Sequence, residues 1–210
     1  MAKLTSTTYA LLGLLSNKPW TAYELTKYMQ TSAIRVVWPR AESGIFREPK
    51  KLVEEGLATV RHEQVNNRLR AVYTITAKGR IALQDWLDSD SEPAKIEYES
   101  MLKLLQMDVN SPDLLGHKVE EMAEECLSWK TDVDRVMARI ASQGFTLEGR
   151  GTQSVLANIL VQRVYQAIFG WTELAKNLIE EIPDDLDPKE LDEWALEKYR
   201  AFTEQPGEKK

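Results

Sequence analysis

Eight side chains in the first third of the chain have the types and spacing to grip a polyanion. Arg40, Ser43, Arg47, Lys50 and Lys51 form one group, and Arg61, Arg68 and Arg70 a second. Lysine and arginine bind phosphate oxygens, arginine also grips the acceptor edge of guanine, and a serine hydroxyl can serve either surface. Bond-making chemistry has little to work with. There are two histidines, His62 and His117, and one cysteine, Cys126. His62-Glu63 lacks the second histidine of a metal-binding helix motif, and a lone cysteine offers no ligand pair. No Gly-rich phosphate loop or G-x-S-x-G elbow occurs. The acid pairs Glu120-Glu121, Glu124-Glu125 and Glu180-Glu181 fit solvated helix faces. Neither an enzyme nor a cofactor or metal is expected.

Charge agrees with the first group of residues. The net charge of −6 would repel nucleic acid, yet residues 1–88 hold 13 Lys and Arg against 8 Asp and Glu, while the remainder holds 14 against 25. Binding follows the local field, so the first part is the one suited to a polyanion. With 43% hydrophobic residues in 210, an ordinary core is available. A single cysteine excludes an internal disulfide and fits a reducing cytoplasm. The longest uncharged run, Leu4 to Asn17, is shorter than the ~18 apolar residues a membrane span needs, so no membrane partner is expected.

The elements that must position the basic residues are short. A first helix is expected over Ser6 to Leu15. A second opens at Thr21, where Thr21-Ala22-Tyr23-Glu24 is a capping box, and ends near Gln30. A third lies between Ala41 and Glu55, stopped by Gly56. Leu57 to Gln64 and Leu69 to Ile75 alternate as strands around Val65-Asn66-Asn67-Arg68, a tight turn. Thr76 caps a fourth helix, Ala77 to Leu87, with Ile81, Leu83, Trp86 and Leu87 available for burial. Three helices, a two-stranded β-wing and a closing helix make a winged helix-turn-helix, in which the third helix enters a DNA groove and the wing follows the backbone.

Several stretches in order carry a family resemblance: Tyr9-Ala10-Leu11-Leu12-Gly13-Leu14-Leu15, Pro19-Trp20-Thr21-Ala22-Tyr23-Glu24-Leu25, Trp38-Pro39, Ile45-Phe46, Glu55-Gly56-Leu57 and Tyr73-Thr74-Ile75-Thr76-Ala77-Lys78-Gly79-Arg80. Residues 4–87 thereby resemble the PadR family of transcriptional regulators. The resemblance implies a DNA-binding, usually repressing protein whose C-terminal helices dimerise. It fits the long form with a helical, virulence-activator-like C-terminal domain. Founding members respond to phenolic acids, and no motif here transfers a ligand site. Pro49 departs from the apolar helix former many relatives would carry. It implies a third helix that either kinks near Phe46 to Pro49 or starts late enough to hold Pro49 in its first turn.

A polar linker, Asp88 to Pro93, separates a winged domain of residues 1–88 from an all-α domain of residues 94–203. Glu92-Pro93 is expected to open a helix to Met107, and Ser111-Pro112 to start the next. Leu115, Val119, Met122, Cys126, Trp129, Val133, Val136 and Ile140 then recur as a heptad seam, and Ala157, Leu160, Val164, Ala167, Trp171, Leu174 and Leu178 as a second. The two helices are expected to fold back as a long antiparallel hairpin across a nine-residue loop with Gly144 and Gly149. Asp187-Pro188-Lys189-Glu190 caps a last helix. Such a hairpin leaves apolar positions for a second copy, with Val119, Met122, Trp129, Val133 and Leu174 as dimer contacts. Trp129 and Trp171 could also sandwich a small aromatic effector, or simply fill the seam. The expected partners are double-stranded DNA, read as an inverted repeat, and a second copy of the chain. The competing expectation is a coiled-coil adaptor that binds only protein.

Overall fold

The computed structural model describes residues 4–65, 68–107, 112–183 and 186–204. The chain forms two compact units, one of Met1–Ala94 with Asp132–Gln162, the other of Lys95–Thr131 with Arg163–Lys210.

The first unit is built around α1 (Ser6–Leu15), whose Leu11, Leu12, Leu14 and Leu15 are all buried. A helix apolar on most sides must be surrounded, and here the other elements surround it. Thr5 caps it in a reciprocal box with Thr8. In α2 (Ala22–Thr31) the expected box is present: the Thr21 side chain accepts from Glu24 N, and the Glu24 carboxylate accepts from Thr21 N at 2.8 Å. A four-residue helix, α3 (Ile34–Val37), follows and was not legible in the sequence. Next comes α4 (Glu42–Glu54). Gly56, at φ +71°, ends it with paired bonds from Leu57 N to Leu52 O and Gly56 N to Val53 O, an arrangement that needs the left-handed residue.

The wing is β2 (Ala58–Val65) against β3 (Arg68–Ile75), in register from Ala58↔Ile75 to Val65↔Arg68. A two-residue strand, β1 (Trp20–Thr21), adds to β3 and makes the sheet three-stranded, in the order β1-β3-β2. The expected two-residue turn, Asn66-Asn67, lies outside the described residues. Closing the wing is α5 (Ala77–Leu87), capped by Thr76. Of its four apolar candidates only Leu83 is buried. Ile81 and Leu87 are exposed, and Trp86 instead stacks on Tyr9, the rings 5.0 Å apart and 3° from parallel.

Two expectations about these helices need correction. The third expected helix does not start late: α4 begins at Glu42 and runs through Pro49, which is fully buried. Pro49 has no N–H to give Ile45 O, and its buried ring offsets part of that loss. The helix expected from Glu92-Pro93 is reduced to α6 (Glu99–Leu104), with no regular structure over 90–98. Nucleating a turn is unfavourable unless packing rewards it, and Ile96, the apolar anchor of that stretch, is exposed.

The long helices α7 (Pro112–Gln143) and α8 (Gly151–Glu180) each give one stretch to each unit. They run antiparallel in the second unit, where Cys126 Sγ lies 3.5 Å from Tyr165 O and Gly116 faces Ile179. In the first unit Gln162 Nε2 donates to Met137 Sδ at 3.3 Å. The joining loop is 144–150, shorter than expected, with Gly144 and Gly149 at positive φ. Its Leu147 is buried in the core of the first unit, where Asn17 also donates to Glu148 O at 3.2 Å and Arg35 pairs with Asp132. These contacts explain why 132–162 groups with the winged helix rather than with 95–131. In the second unit Asp187 caps α9 (Pro188–Glu204) by accepting from Lys189 N and Glu190 N. The Ser111 cap lies outside the described residues.

The seam of α7 faces inward as expected, with Val119, Met122, Cys126 and Val133 buried. That of α8 is one position off. Asn158, Val161 and Thr172 are its buried residues, while Leu160, Val164 and Leu174 are exposed. Two polar residues disguise the inner stripe, and both satisfy themselves locally: Asn158 Nδ2 donates to Ser154 O and Thr172 Oγ1 to Phe169 O, each at 2.7 Å.

Gly79 gives the fold a sharp test. A Cβ there would stand 2.1 Å from Leu57 O and 2.9 Å from Ile75 Cγ1. Gly79→Ala should therefore lower stability by about 2–3 kcal/mol, as overpacking against backbone does. Urea denaturation checks it.

Candidate nucleic-acid interface

One face of α4 belongs to the protein and the other to solvent. Ile45, Glu48, Pro49 and Leu52 are buried, while Ser43, Phe46, Arg47 and Lys50 are exposed. Arg47 Nε donates to Ser43 O at 3.0 Å, one turn back, which lays the arginine along the helix. Lys51 is differently placed from its sequence neighbours. Its ammonium donates at 2.6 Å to the buried Glu48 carboxylate, which also accepts from Thr8 Oγ1 at 2.9 Å. A charge so engaged balances the interior acid first and offers less to a ligand than Arg47 or Lys50.

Arg40 stands at the entrance to α4. Its guanidinium lies 4.2 Å from the Trp38 ring centre and donates to Pro39 O at 2.6 Å. Trp38 Nε1 is itself anchored to Thr7 Oγ1 of α1 at 3.0 Å, and Gln30 of α2 donates to Arg40 O at 2.7 Å. Stacking on an indole face holds a guanidinium without consuming its outward donors. Trp38, Thr7 and Glu48 were missed as site residues. The bonds of Thr7 to Trp38 and of Thr8 to Glu48 join residues distant in sequence, so only Trp38-Pro39 as a motif gave a signal.

On the wing, strand alternation puts Arg61, Glu63 and Arg70 on one face, since the register opposes Arg61 to Val72 and Glu63 to Arg70. The other face turns Ala58, Tyr73 and Ile75 into the core. Arg61 pairs with Glu63, and Arg70 with Glu24 of α2 at 3.4 Å. The Arg68 side chain lies outside what is described. Exposed pairs of this kind contribute ~0–1 kcal/mol, so phosphates could displace the carboxylates at little cost. Glu24 itself is pulled below the usual carboxylate range. Burial acts to raise it, but the Thr21 amide and hydroxyl, then Arg70 and Lys18, together outweigh burial.

The residues expected at a dimer surface divide. Val119, Met122 and Val133 are buried within the single chain. Leu174 is exposed and Trp129 half-buried. Trp129 and Trp171 are not among the ring contacts of the described residues; in that unit Tyr165 meets Phe169 instead. No cluster of three or more His, Cys, Asp or Glu side chains suited to a metal occurs among the described residues, and no described helix is long and apolar enough to cross a membrane.

A helix with a basic outer face, packed on two helices and followed by an arginine-bearing wing, is the arrangement of a winged helix-turn-helix. Residues 11–85 match the transcriptional regulator PadR-like family, the same family that the sequence stretches resemble. A Bacillus subtilis (strain 168) protein described as the negative transcriptional regulator PadR is 28% identical over 158 residues, 72% of this chain and 86% of that one. Bacillus subtilis PadR in complex with operator DNA superimposes with a TM-score of 0.71 at 22% identity, covering 83% of this chain and 99% of that one. The Vibrio cholerae virulence activator AphA does so with 0.64 at 24%, covering 83% and 98%. A third structure, Bacillus subtilis PadR with p-coumaric acid, gives 0.64 at 21%, covering 86% and 100%. At such identities the structural likeness establishes the fold.

The Glu24 cap predicts a pH effect. A carboxylate whose folded pKa is lowered contributes stability that is present above its unfolded value of 4.5 and is lost as pH falls through the folded one. Glu24→Ala should cost about 1 kcal/mol at pH 7, the ordinary worth of a helix cap. In urea titrations the gap from the parent protein should narrow on acidification below pH 4.5.

Proposed function

We propose that this chain is a transcriptional regulator of the repressing kind that binds an inverted repeat in double-stranded DNA as a homodimer. The observation that carries the reading is the basic outer face of α4, with Arg40 fixed at its start, in the same PadR-like unit as the arginine face of the wing. Arg47 and Arg40 reach base edges, while Arg61, Arg68 and Arg70 hold the phosphate backbone. Residues 1–88 supply the reading head and residues 94–203 the assembly surface.

Support for a dimer comes from apolar groups left uncovered. In the first unit Val155, Leu156, Ile159 and Leu160 of α8 are exposed on adjacent turns, and in the second Tyr199 and Phe202 of α9. Apolar exposure of this extent along one helix favours burial against a second copy. Two reading heads fixed by a symmetric dimer would recognise half-sites about one helical turn, ~34–36 Å, apart or a multiple of that. Release by a small aromatic molecule is part of the proposal, since the relative crystallised with p-coumaric acid shares the fold. The first unit holds a cavity of about 30 Å³ lined by Tyr28, Arg139, Arg150 and Asn158, among others, which is water-sized, so an aromatic guest there would have to open it.

A gel-shift against fragments of the source genome tests the reading directly, and a chain that retained none would make the protein-binding adaptor the better account. On a retained fragment, Arg61→Ala should weaken all DNA about equally and flatten the salt dependence by ~1 in slope. Arg47→Ala should instead relax preference at one base position. In sedimentation the intact chain should run as a dimer at micromolar concentration and Leu160→Glu as a monomer. A tight-binding monomer would overturn the assembly proposed here.

A further inference from the structure

Phe46 is the one large apolar side chain on the solvent face of α4 among the described residues. It is 53% exposed, while Ile45 and Leu52 of the same helix are wholly buried. The core therefore does not use it. Nor is it a stray residue on an otherwise idle surface, because Ser43 lies one turn before it, Arg47 beside it and Lys50 one turn beyond, all exposed. A phenyl ring has no donor or acceptor, so it can neither bind phosphate nor pair with the polar edge of a base. The major groove offers one apolar feature, the C5-methyl group of thymine.

We propose that Phe46 is a specificity-determining residue that reads a thymine methyl in the half-site, beside the base contacted by Arg47. The inference rests on the DNA-binding reading above and deepens it. Arg47 and Ser43 can satisfy hydrogen-bonding edges through groups already aligned along the helix. Phe46, confined to two side-chain torsions and set between them, brings the methyl group out of water at small entropic cost. The half-site then contains an A·T pair adjoining the position that Arg47 reads, and its thymine lies on the strand facing the ring.

Deoxyuridine tests this without knowledge of the operator, because it pairs as thymidine does and lacks only the methyl. A fragment retained by the full-length protein is amplified once with dTTP and once with dUTP, and both products are titrated in anisotropy. The parent protein should bind the uracil form at least about fourfold more weakly, the effect of one buried methyl group. Phe46→Ala should bind both forms alike, and Phe46→Leu should keep part of the discrimination; far-ultraviolet circular dichroism establishes that each variant is folded. An unchanged thymine-to-uracil ratio in Phe46→Ala, or a parent protein indifferent to uracil, sinks the inference alone. A shift of Phe46→Ala to monomer in sedimentation would assign the ring to a protein contact and overturn it as well. Failure to retain any fragment would remove the DNA reading and this inference together.

Discussion

Helix α4 carries a carboxylate on the side that faces the protein, and what the helix presents to solvent is set together with the satisfaction of that group. Glu48 is buried, with Thr8 Oγ1 and Lys51 Nζ as its partners. Rotating α4 about its axis would break the Thr8 bond and carry the buried Ile45, Pro49 and Leu52 towards water, so it is strongly opposed. Thr8 also belongs to the box that caps α1. One hydroxyl thus ties the start of the first helix to the rotational setting of the fourth. With Glu48 inward, helical geometry turns Ser43, Phe46, Arg47 and Lys50 outward together.

The same economy of partners appears at Arg40. Its guanidinium is held through Trp38, which is held by Thr7, a neighbour of Thr8 on α1. Two adjacent threonines on one helix therefore fix both the entrance and the inner face of α4. The wing depends less on such fixtures. Its arginines rest against Glu63 and Glu24 in solvent-exposed pairs, a looser arrangement that suits contacts to a uniformly charged backbone.

Local chemistry was legible in the sequence and long-range pairing was not. The Thr21 and Asp187 caps, the Gly56 stop, the strand alternation and the first two helices follow from rules that act within a few residues. The third strand, Trp20–Thr21, is too short to show a period and exists only because Tyr73 and Val72 lie beside it. On α8 so many positions are apolar that two stripes fit one spacing. The stripe chosen by burial contains Asn158 and Thr172, which a hydrophobicity pattern passes over. Of the site, the basic side chains were visible by type, and what Lys51 is bonded to was not. The engagement of Lys51 with Glu48 and the exposure of Phe46 are decided by which face of α4 meets α1, and that is a tertiary fact.

Leu147 carries a consequence for how such a protein could be recombined. It comes from the loop between the two long helices, yet it is counted in the core with Leu11, Leu25 and Ile45. Cutting the chain at the linker would leave that place in the core empty, even though the linker looks in sequence like a domain border. The reading head is thus not a freely exchangeable module. A chimera that moved it onto another helical scaffold would have to carry residues 132–162 along, or supply an apolar side chain of similar bulk where Leu147 now sits.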